Sequence, residues 1–260
     1  MPTRRITATY IAFVPLIALP DLLSARPITV LPMGDSLTNG VGSTDHGAYR
    51  TYVKEAFGNA IDFVGRRQDG PIDPENEGWG GFTIPKIRDE TVTTESQYNG
   101  WGQVVLLTAG TNDLWWANTG LPQQKAERAI TDMGSLIGSI FNQSNGIVKT
   151  VFVSSIPHIH DWNNDLSFPE VDMYNSALPI LVQNLSHEFD VRFVDAGGPL
   201  DINWDFADGV HPNDKGYAKM GAAWINALSS VVPEPTSAGA VIALAVVSAG
   251  PARRRSRKTS

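Results

Sequence analysis

Short apolar runs rich in β-branched residues alternate with longer helical patterns along most of this chain. The runs lie at residues 28–31, 62–64, 104–108, 148–156 and 191–194. Helical patterns lie at residues 49–57, 123–141, 173–187 and 215–228, the second with apolar residues at steps of three and four. Strands that are apolar on both faces and separated by helices form a parallel sheet covered on both sides. The alternation therefore predicts one three-layer α/β domain over residues 26–232.

Pro32 is the one residue that conflicts with this pattern. Proline has no N–H to donate, so it rarely occupies the middle of a central strand. Pro32 directly follows the first apolar run. We therefore expect it at the carboxyl end of the first strand, where pairing stops.

Charge and composition restrict the function further. The 260-residue chain has no cysteine, which excludes disulfides, thiolate metal sites and a cysteine nucleophile. The formal net charge is −7, and residues 26–232 alone hold 13 basic and 25 acidic residues, a net charge of −12. Nucleic-acid binding needs a basic face. The acidic body therefore argues against a nucleic-acid partner and suits a neutral substrate.

The first 25 residues have the order of a secretory signal. A basic start with Arg4 and Arg5 is followed by the mostly apolar run 6–19 and by the small residues Ser24 and Ala25. A helix at the start of the domain is the alternative. We expect residues 1–25 to be a signal peptide that is removed during export.

The C-terminal segment, residues 233–260, has a second targeting pattern. Pro-Glu-Pro at 233–235 precedes a small and apolar run at 236–250 and a cluster of arginines at 253–257. The run is shorter than the roughly 20 residues that span a bilayer, but its basic flank is typical of a stop-transfer segment. This order resembles the bacterial PEP-CTERM sorting signal. The resemblance implies an exported protein with transient membrane association and an exosortase-like partner; a flexible basic tail is the alternative.

Polar motifs follow the predicted strands where each one ends. In open parallel α/β sheets, the active site lies off these carboxyl ends. The first strand runs into Gly34 and Ser36, and a serine needs a neighbouring base to become a strong nucleophile. Asp208 and His211 lie in the loop before the last helix, where one segment can present the imidazole to Ser36 while the carboxylate holds its other nitrogen. These residues are the candidate nucleophile, base and orienting acid.

Two further motifs offer hydrogen-bond donors. Asn112 follows the third predicted strand, and its amide can point an N–H at a developing oxyanion. A glycine-rich loop at 77–82 follows the second strand and lets a backbone N–H approach a ligand closely. Taken singly, each motif has an ordinary interpretation: an N-cap near Ser36, a surface histidine at His211, and turns or flexible loops elsewhere. Their order and common position at strand ends favour a catalytic site.

The four motifs together resemble the SGNH hydrolase superfamily, also called GDSL esterases and lipases. The matching runs are G-D-S-L at 34–37, the glycine loop at 77–82, G-T-N-D at 110–113 and D-x-x-H at 208–211. The similarity spans about residues 27–228. The resemblance implies a flavodoxin-like sheet of five parallel strands with helices on both faces, and neither a cofactor nor a metal.

The resemblance also assigns roles to individual residues. It implies a catalytic triad of nucleophile, base and orienting acid, namely Ser36, His211 and Asp208. It implies an oxyanion hole with three donors, namely the Ser36 N–H, the Gly81 N–H and the Asn112 side chain. Gly81 suits the second family motif because it directly precedes Phe82 and follows Asn76 by five residues; Gly80 is the alternative.

A narrower likeness concerns the sequences around these motifs. Residues 31–36, 62–65, 75–82 and 208–213 look like carbohydrate esterase family 3, a group of acetylxylan esterases. Pro32 belongs to that pattern, whereas Trp79 departs from it because the family usually has histidine there. The likeness implies a serine esterase acting on acetyl esters of carbohydrate. Three tryptophans near the second and third motifs are candidate platforms for sugar rings or, equally, packing residues: Trp79, Trp115 and Trp116.

Two other functions stay open at this point. A lipase, lysophospholipase or aryl esterase would use the same site with a different acyl pocket, and it would need apolar loop surface that the polar stretch at 69–77 does not supply. A non-catalytic cell-surface protein would keep the fold without the reaction. The presence of all four motifs favours the esterase.

Overall fold

The computed structural model describes residues 26–117, 119–161 and 166–232. The predicted signal peptide and sorting segment lie outside this part of the chain. Among the helices that the structure describes, none combines the length and the apolar character needed to cross a membrane.

The described residues contain nine strands. In chain order they are β1 Ile28–Gly34, β2 Ile61–Phe63, β3 Arg67–Gln68, β4 Glu75–Gly78, β5 Val104–Thr108, β6 Thr150–Ser154, β7 His160–Asp161, β8 Leu166–Ser167 and β9 Val191–Val194. β2, β1, β5, β6 and β9 lie side by side in that order and run parallel. This order is flavodoxin-like and confirms the predicted α/β fold with five parallel strands. β7 and β8 form a separate antiparallel ribbon.

Two short strands extend the sheet beyond the five that the sequence predicts. β4 pairs parallel with β1 on the same edge as β2, and β3 pairs antiparallel with β4. The sequence of β4 is Glu-Asn-Glu-Gly, and such polar residues give no apolar strand pattern. Glu77 in β4 is nevertheless buried, because the Arg66 guanidinium lies 2.7 Å from its carboxylate. An ion pair with a residue outside the strand thus stabilises β4, where other strands bury apolar side chains.

The prediction that pairing stops at Pro32 is wrong. β1 continues through Pro32 to Gly34, and Pro32 lies opposite Leu106 of β5. The backbone groups of alternate residues face opposite neighbours in a strand. The carbonyls of Val30 and Gly34 accept hydrogen bonds on the side away from β5, so Pro32 faces that side as well. Its missing N–H falls where β2 has ended and β4 begins, and no ladder bond is lost.

Helices cover both faces of the sheet. They are α1 Ser36–Asn39, α2 Ala48–Phe57, α3 Ile84–Lys86, α4 Thr93–Tyr98, α5 Pro122–Gln143, α6 Pro169–Leu185 and α7 Asp214–Leu228, with π-helical turns at Ile87–Val92 and Asp113–Ala117 and a 3-10 turn at Gly58–Ala60. The four long helices match the predicted ones. α6 begins four residues before its predicted start because Pro169 occupies its first turn, where a missing N–H costs nothing.

The core divides into two layers according to the alternation of β1. Leu31 and Met33 face a cluster that includes buried residues of α5 and α6. Val30 faces the other cluster, in which Tyr49 of α2 and Trp224 of α7 pack with ring centroids 5.5 Å apart. Because both faces of β1 are buried, the strand reads as a continuous apolar run.

The direction of strand addition reverses at β1. The chain adds β2 on one side of β1 and then adds β5, β6 and β9 on the other side. Such a reversal opens a crevice at the carboxyl ends of the two strands that flank it, and ligands of open α/β sheets bind there. The loops after β1, β4, β5 and β9 all leave the sheet at this edge.

Candidate active site

Ser36 lies where β1 leaves the sheet and α1 begins. A Cβ at Gly34 would lie 2.1 Å from the carbonyl oxygen of Thr108, so only glycine allows β1 and β5 to approach this closely at the exit. Asp35 caps α1, and its Oδ1 accepts the N–H of Leu37 at 2.9 Å. Ser36 then occupies the first helical position, where the backbone N–H has no helical acceptor. Its exposed fraction is 6%.

His211 and Asp208 approach Ser36 from the loop between β9 and α7. The distance from His211 Nε2 to Ser36 Oγ is 2.9 Å, and the distance from His211 Nδ1 to Asp208 Oδ2 is also 2.9 Å. A carboxylate can only accept, so Nδ1 carries the proton and Nε2 of the neutral ring accepts the Ser36 hydroxyl. The structure therefore brings together the three residues that the sequence predicts as a triad, although Ser36 and His211 are 175 residues apart.

The carboxylate of Asp208 is held by the turn that contains it. Its Oδ1 accepts the backbone N–H groups of Val210 and His211, both at 2.7 Å. Partial burial raises the pKa of Asp208, but the hydrogen bonds from the His211 side chain and from these N–H groups outweigh it and hold the pKa below its usual value. Asp208 is thus an ionised acceptor that fixes the tautomer and orientation of the imidazole.

The rest of the β9–α7 loop is anchored from both ends. Asn213 caps α7 through Oδ1, and its Nδ2 donates to the carbonyl oxygens of Trp204 and Phe206. Asp205 is buried, and its Oδ2 pairs with Lys219 of α7 at 2.5 Å. These contacts fix the loop in the absence of substrate, so the imidazole is positioned before the reaction begins.

Asn112 lies just after β5 with both ends of its amide hydrogen-bonded. Nδ2 donates to the carbonyl oxygen of Phe82 at 2.8 Å, and Oδ1 accepts the indole N–H of Trp116 at 2.9 Å. One N–H of Nδ2 is left for a ligand. The side chain is only 4% exposed, so a bond that it donates is made in a poorly solvated site, where it is electrostatically strong.

The glycine loop forms a tight turn beside Ser36. The N–H of Phe82 donates to the Trp79 carbonyl at 3.0 Å, and Gly81 at the third position has φ +79°, which favours glycine. A Cβ at Gly80 would lie 4.0 Å from Ser36 Cβ. The turn therefore lies next to Ser36 at Gly80 and bonds Asn112 through Phe82. The choice of Gly81 rather than Gly80 as backbone donor stays a prediction.

Two buried carboxyl groups lie next to these residues in the chain. Asp35 is fully buried, and this burial raises its pKa to about 6 against the hydrogen bond from Leu37. Asp113 is 1% exposed, and burial raises its pKa to about 7. The Asp113 carboxylate accepts the N–H of Ile84 at 3.0 Å and so ties the segment after the glycine turn to the end of β5.

The three candidate tryptophans have different surroundings. Trp79 stacks on Phe82 with centroids 5.6 Å apart, and the guanidinium of Arg67 lies 4.9 Å from its ring centroid. Trp115 and Trp116 are 39% and 57% exposed. The last two therefore offer more open ring surface than Trp79, and the role of all three as sugar platforms stays a prediction.

Sequence reasoning missed the ion pairs that support the glycine turn. Glu77 Oε2 accepts both the Trp79 indole N–H at 2.8 Å and Arg66 Nη2 at 2.7 Å. Arg66 Nε also bonds Glu95, whose pKa is raised by burial and by the neighbouring Glu77 charge. The signal available in the sequence was the pair of opposite charges at Arg66 and Glu77, which flank the polar segment 67–76.

Arg50 of α2 is a second missed residue. It is 1% exposed, and its guanidinium donates to backbone carbonyls of α1, of the loop after α1 and of the loop between β3 and β4, namely those of Thr38, Asn39, His46, Asp69 and Pro74. Burial lowers its pKa below the usual value. One side chain thus replaces the regular hydrogen bonding that these loops lack.

No cluster of three or more histidine, aspartate or glutamate side chains in the described part of the chain is arranged to hold a metal ion.

Comparison with known proteins finds similar esterases. A "Multidomain esterase" of Ruminococcus flavefaciens is 26% identical in an alignment 231 residues long, which covers 78% of this chain and 28% of that protein. The chain thus spans less than a third of that relative's length. A family 3 carbohydrate esterase of Clostridium thermocellum is 30% identical with a TM-score of 0.64, over 80% of this chain and 100% of that one.

A carbohydrate esterase family 3 structure from Talaromyces cellulolyticus has the same fold, with 23% identity, a TM-score of 0.64 and coverage of 79% of this chain and 98% of that one. The sequence profile described as "GDSL-like Lipase/Acylhydrolase family" matches residues 33–219. The match includes Ser36, Asn112, Asp208 and His211. This chain therefore belongs to the GDSL-like lipase/acylhydrolase family of carboxylic ester hydrolases.

Proposed function

We propose that this protein is a serine esterase that removes acetyl groups from carbohydrate. One observation carries the proposal: a hydrogen-bonded chain runs from Asp208 through His211 to Ser36 Oγ, with 2.9 Å at each step. It lies beside a turn that bonds the Asn112 amide. A nucleophile, its base, an orienting carboxylate and an oxyanion donor are the parts that acyl transfer through serine requires.

The mechanism follows from these positions. As Ser36 Oγ attacks the ester carbonyl, its proton passes to His211 Nε2 and the ion pair with Asp208 stabilises the imidazolium. The carbonyl oxygen becomes an oxyanion that the Asn112 N–H and the backbone N–H groups of Ser36 and Gly81 bind. His211 then returns the proton to the sugar oxygen as the bond between this oxygen and the acyl carbon breaks, which releases the sugar hydroxyl and leaves Ser36 acetylated. Water, deprotonated by the same base, releases acetate from Ser36.

The substrate class rests on similarity. The 30% identity with a family 3 carbohydrate esterase covers the whole of that chain. We therefore favour short acyl groups and a sugar as the alcohol.

The experiment is a comparison of esters with the purified chain and with Ser36→Ala. We expect higher kcat/KM on p-nitrophenyl acetate than on p-nitrophenyl octanoate, and release of acetate from acetylated xylan. Ser36→Ala should abolish all three activities, while Ser135→Ala on the exposed surface of α5 should abolish none. Activity retained by Ser36→Ala would refute the mechanism. A preference for octanoate would point to a lipase, and inactivity of the wild type on every ester to a non-catalytic protein.

We also propose that the protein is exported and that both terminal segments are removed. The proposal is supported by the basic and apolar order of residues 1–25 and by the Pro-Glu-Pro, apolar and arginine order of residues 233–260. An exosortase-like enzyme would recognise the second segment. The mass of the protein recovered from its native envelope should lack both segments. Full-length chain recovered from the cytosol would contradict the proposal.

A further inference from the structure

The Asn112 amide has an unambiguous orientation. A backbone carbonyl can only accept, so the group facing Phe82 O at 2.8 Å is the amide NH₂. An indole N–H can only donate, so the group facing Trp116 Nε1 at 2.9 Å is the amide oxygen. Rotating the amide by 180° would place two acceptors against each other at Phe82 and two donors against each other at Trp116. Both partners therefore hold the same orientation.

That orientation is the one that the oxyanion hole requires. With the NH₂ group next to the glycine turn, one N–H bonds Phe82 and the other is free to bond the oxyanion. The opposite orientation would present the amide oxygen, which repels an oxyanion. The strength of such a donor depends on its being oriented before charge develops.

Burial does not explain the position of Trp116. It lies four residues after Asn112 in the π-helical turn Asp113–Ala117, and 57% of its surface is exposed. Short π-helical turns frequently occur at functional sites. The ring gains little from burial, whereas its one polar atom bonds the side chain that the mechanism uses.

We propose that Trp116 is a positioning residue of the oxyanion hole, whose indole N–H holds the Asn112 amide with its donors toward the reacting ester. This inference rests on the proposed function and differs from a role as a sugar platform. A platform affects only substrates that contain a sugar, and it affects binding. A positioning residue affects kcat on every ester.

The test is Trp116→Phe, which keeps an aromatic ring and removes the N–H. On p-nitrophenyl acetate, which contains no sugar, we expect kcat to fall about threefold to tenfold, the effect of one hydrogen bond, with little change in KM. The control is Tyr98→Phe, which removes the polar group of an exposed aromatic residue of α4; its kcat should stay unchanged. An unchanged kcat for Trp116→Phe, with a raised KM on acetylated xylan, would overturn the proposal in favour of the platform.

A double-mutant comparison tests whether Trp116 acts through Asn112. If Trp116 acts through Asn112, adding Trp116→Phe to Asn112→Ala should lower kcat no further. A full additional threefold to tenfold loss in that background would overturn the proposal. A wild-type protein that shows no Ser36-dependent turnover would contradict the proposed function itself, and this outcome is distinct from the ones above.

A spectroscopic measurement tests the contact without any turnover. The side-chain amide resonances of Asn112 in a ¹H–¹⁵N spectrum are assigned by their absence in Asn112→Ala. They should shift or broaden in Trp116→Phe and stay in place in Tyr98→Phe. Unchanged Asn112 resonances in Trp116→Phe would overturn the proposal even if the enzyme proved inactive.

Discussion

Asp113 should make the protein less stable as the pH rises from acid to neutral. Its carboxyl group is 1% exposed and accepts the N–H of Ile84. Burial raises its pKa from 3.8 to about 7; the hydrogen bond from Ile84 opposes the change and the nearby Asp35 adds to it. The folded protein therefore binds a proton at Asp113 that the unfolded chain has already released.

The sign and the size follow from the two pKa values. Below about pH 4 the group is protonated in both states, and its contribution to stability is fully present. Between about pH 4 and pH 7 only the folded state holds the proton, so stability falls by about 1.4 kcal/mol for each pH unit. Over the three pH units between 3.8 and about 7, the loss amounts to roughly 4 kcal/mol.

Asp113→Asn tests this value. The amide oxygen can still accept the Ile84 N–H, but no charge can form. We expect wild type to lose roughly 3 kcal/mol more free energy of unfolding than Asp113→Asn between about pH 4.5 and about pH 8, measured by urea unfolding, because about 1 kcal/mol is already lost at pH 4.5. Asp62→Asn, an exposed position on β2, is the control and should follow the wild type. Parallel pH dependences of wild type and Asp113→Asn would refute the reasoning.

Three further variants have expected outcomes. Asn112→Ala removes an oxyanion donor and should lower kcat on p-nitrophenyl acetate by about 10²–10³, or about 2.7–4 kcal/mol. Asp208→Asn should lower kcat by up to about 10⁴ but less than Ser36→Ala, because the His211 ring loses its acceptor while Ser36 remains; equal losses would contradict the orienting role. Arg50→Met should lower the free energy of unfolding by at least about 3 kcal/mol, since several buried carbonyls lose their donor; chemical unfolding within 1 kcal/mol of wild type, roughly the value of one bond, would contradict this.

The sequence alone determined the layout of the sheet and the identity of the candidate triad. The five parallel strands and the four long helices are visible because each buries an apolar stripe or run, which leaves a local pattern in the chain. Ser36, Asn112, Asp208 and His211 could be selected because each follows a strand or precedes a helix where such sheets carry their sites. Glycine at 34 and 81 marked the tight turns for the same local reason.

Features without a local pattern had to come from the tertiary structure. β4 is polar along its length and becomes a strand because Arg66 neutralises the buried Glu77. Pro32 is tolerated inside the sheet because two different strands share one edge of β1. From the sequence, Arg50 is expected on the surface of a helix, yet it lies buried among backbone carbonyls of α1, of the loop after α1 and of the loop between β3 and β4.

The distances within the site were also decided only by the fold. The sequence names Ser36 and His211, but their contact at 2.9 Å across 175 residues depends on how β1 and the β9–α7 loop meet at the end of the sheet. The hydrogen bond between Trp116 and Asn112 depends on a π-helical turn that no periodic pattern in the sequence predicts. Apolar burial repeats along a strand or helix and can therefore be read from the chain, whereas a hydrogen bond or an ion pair needs one partner at one position and becomes visible only when the chain has folded.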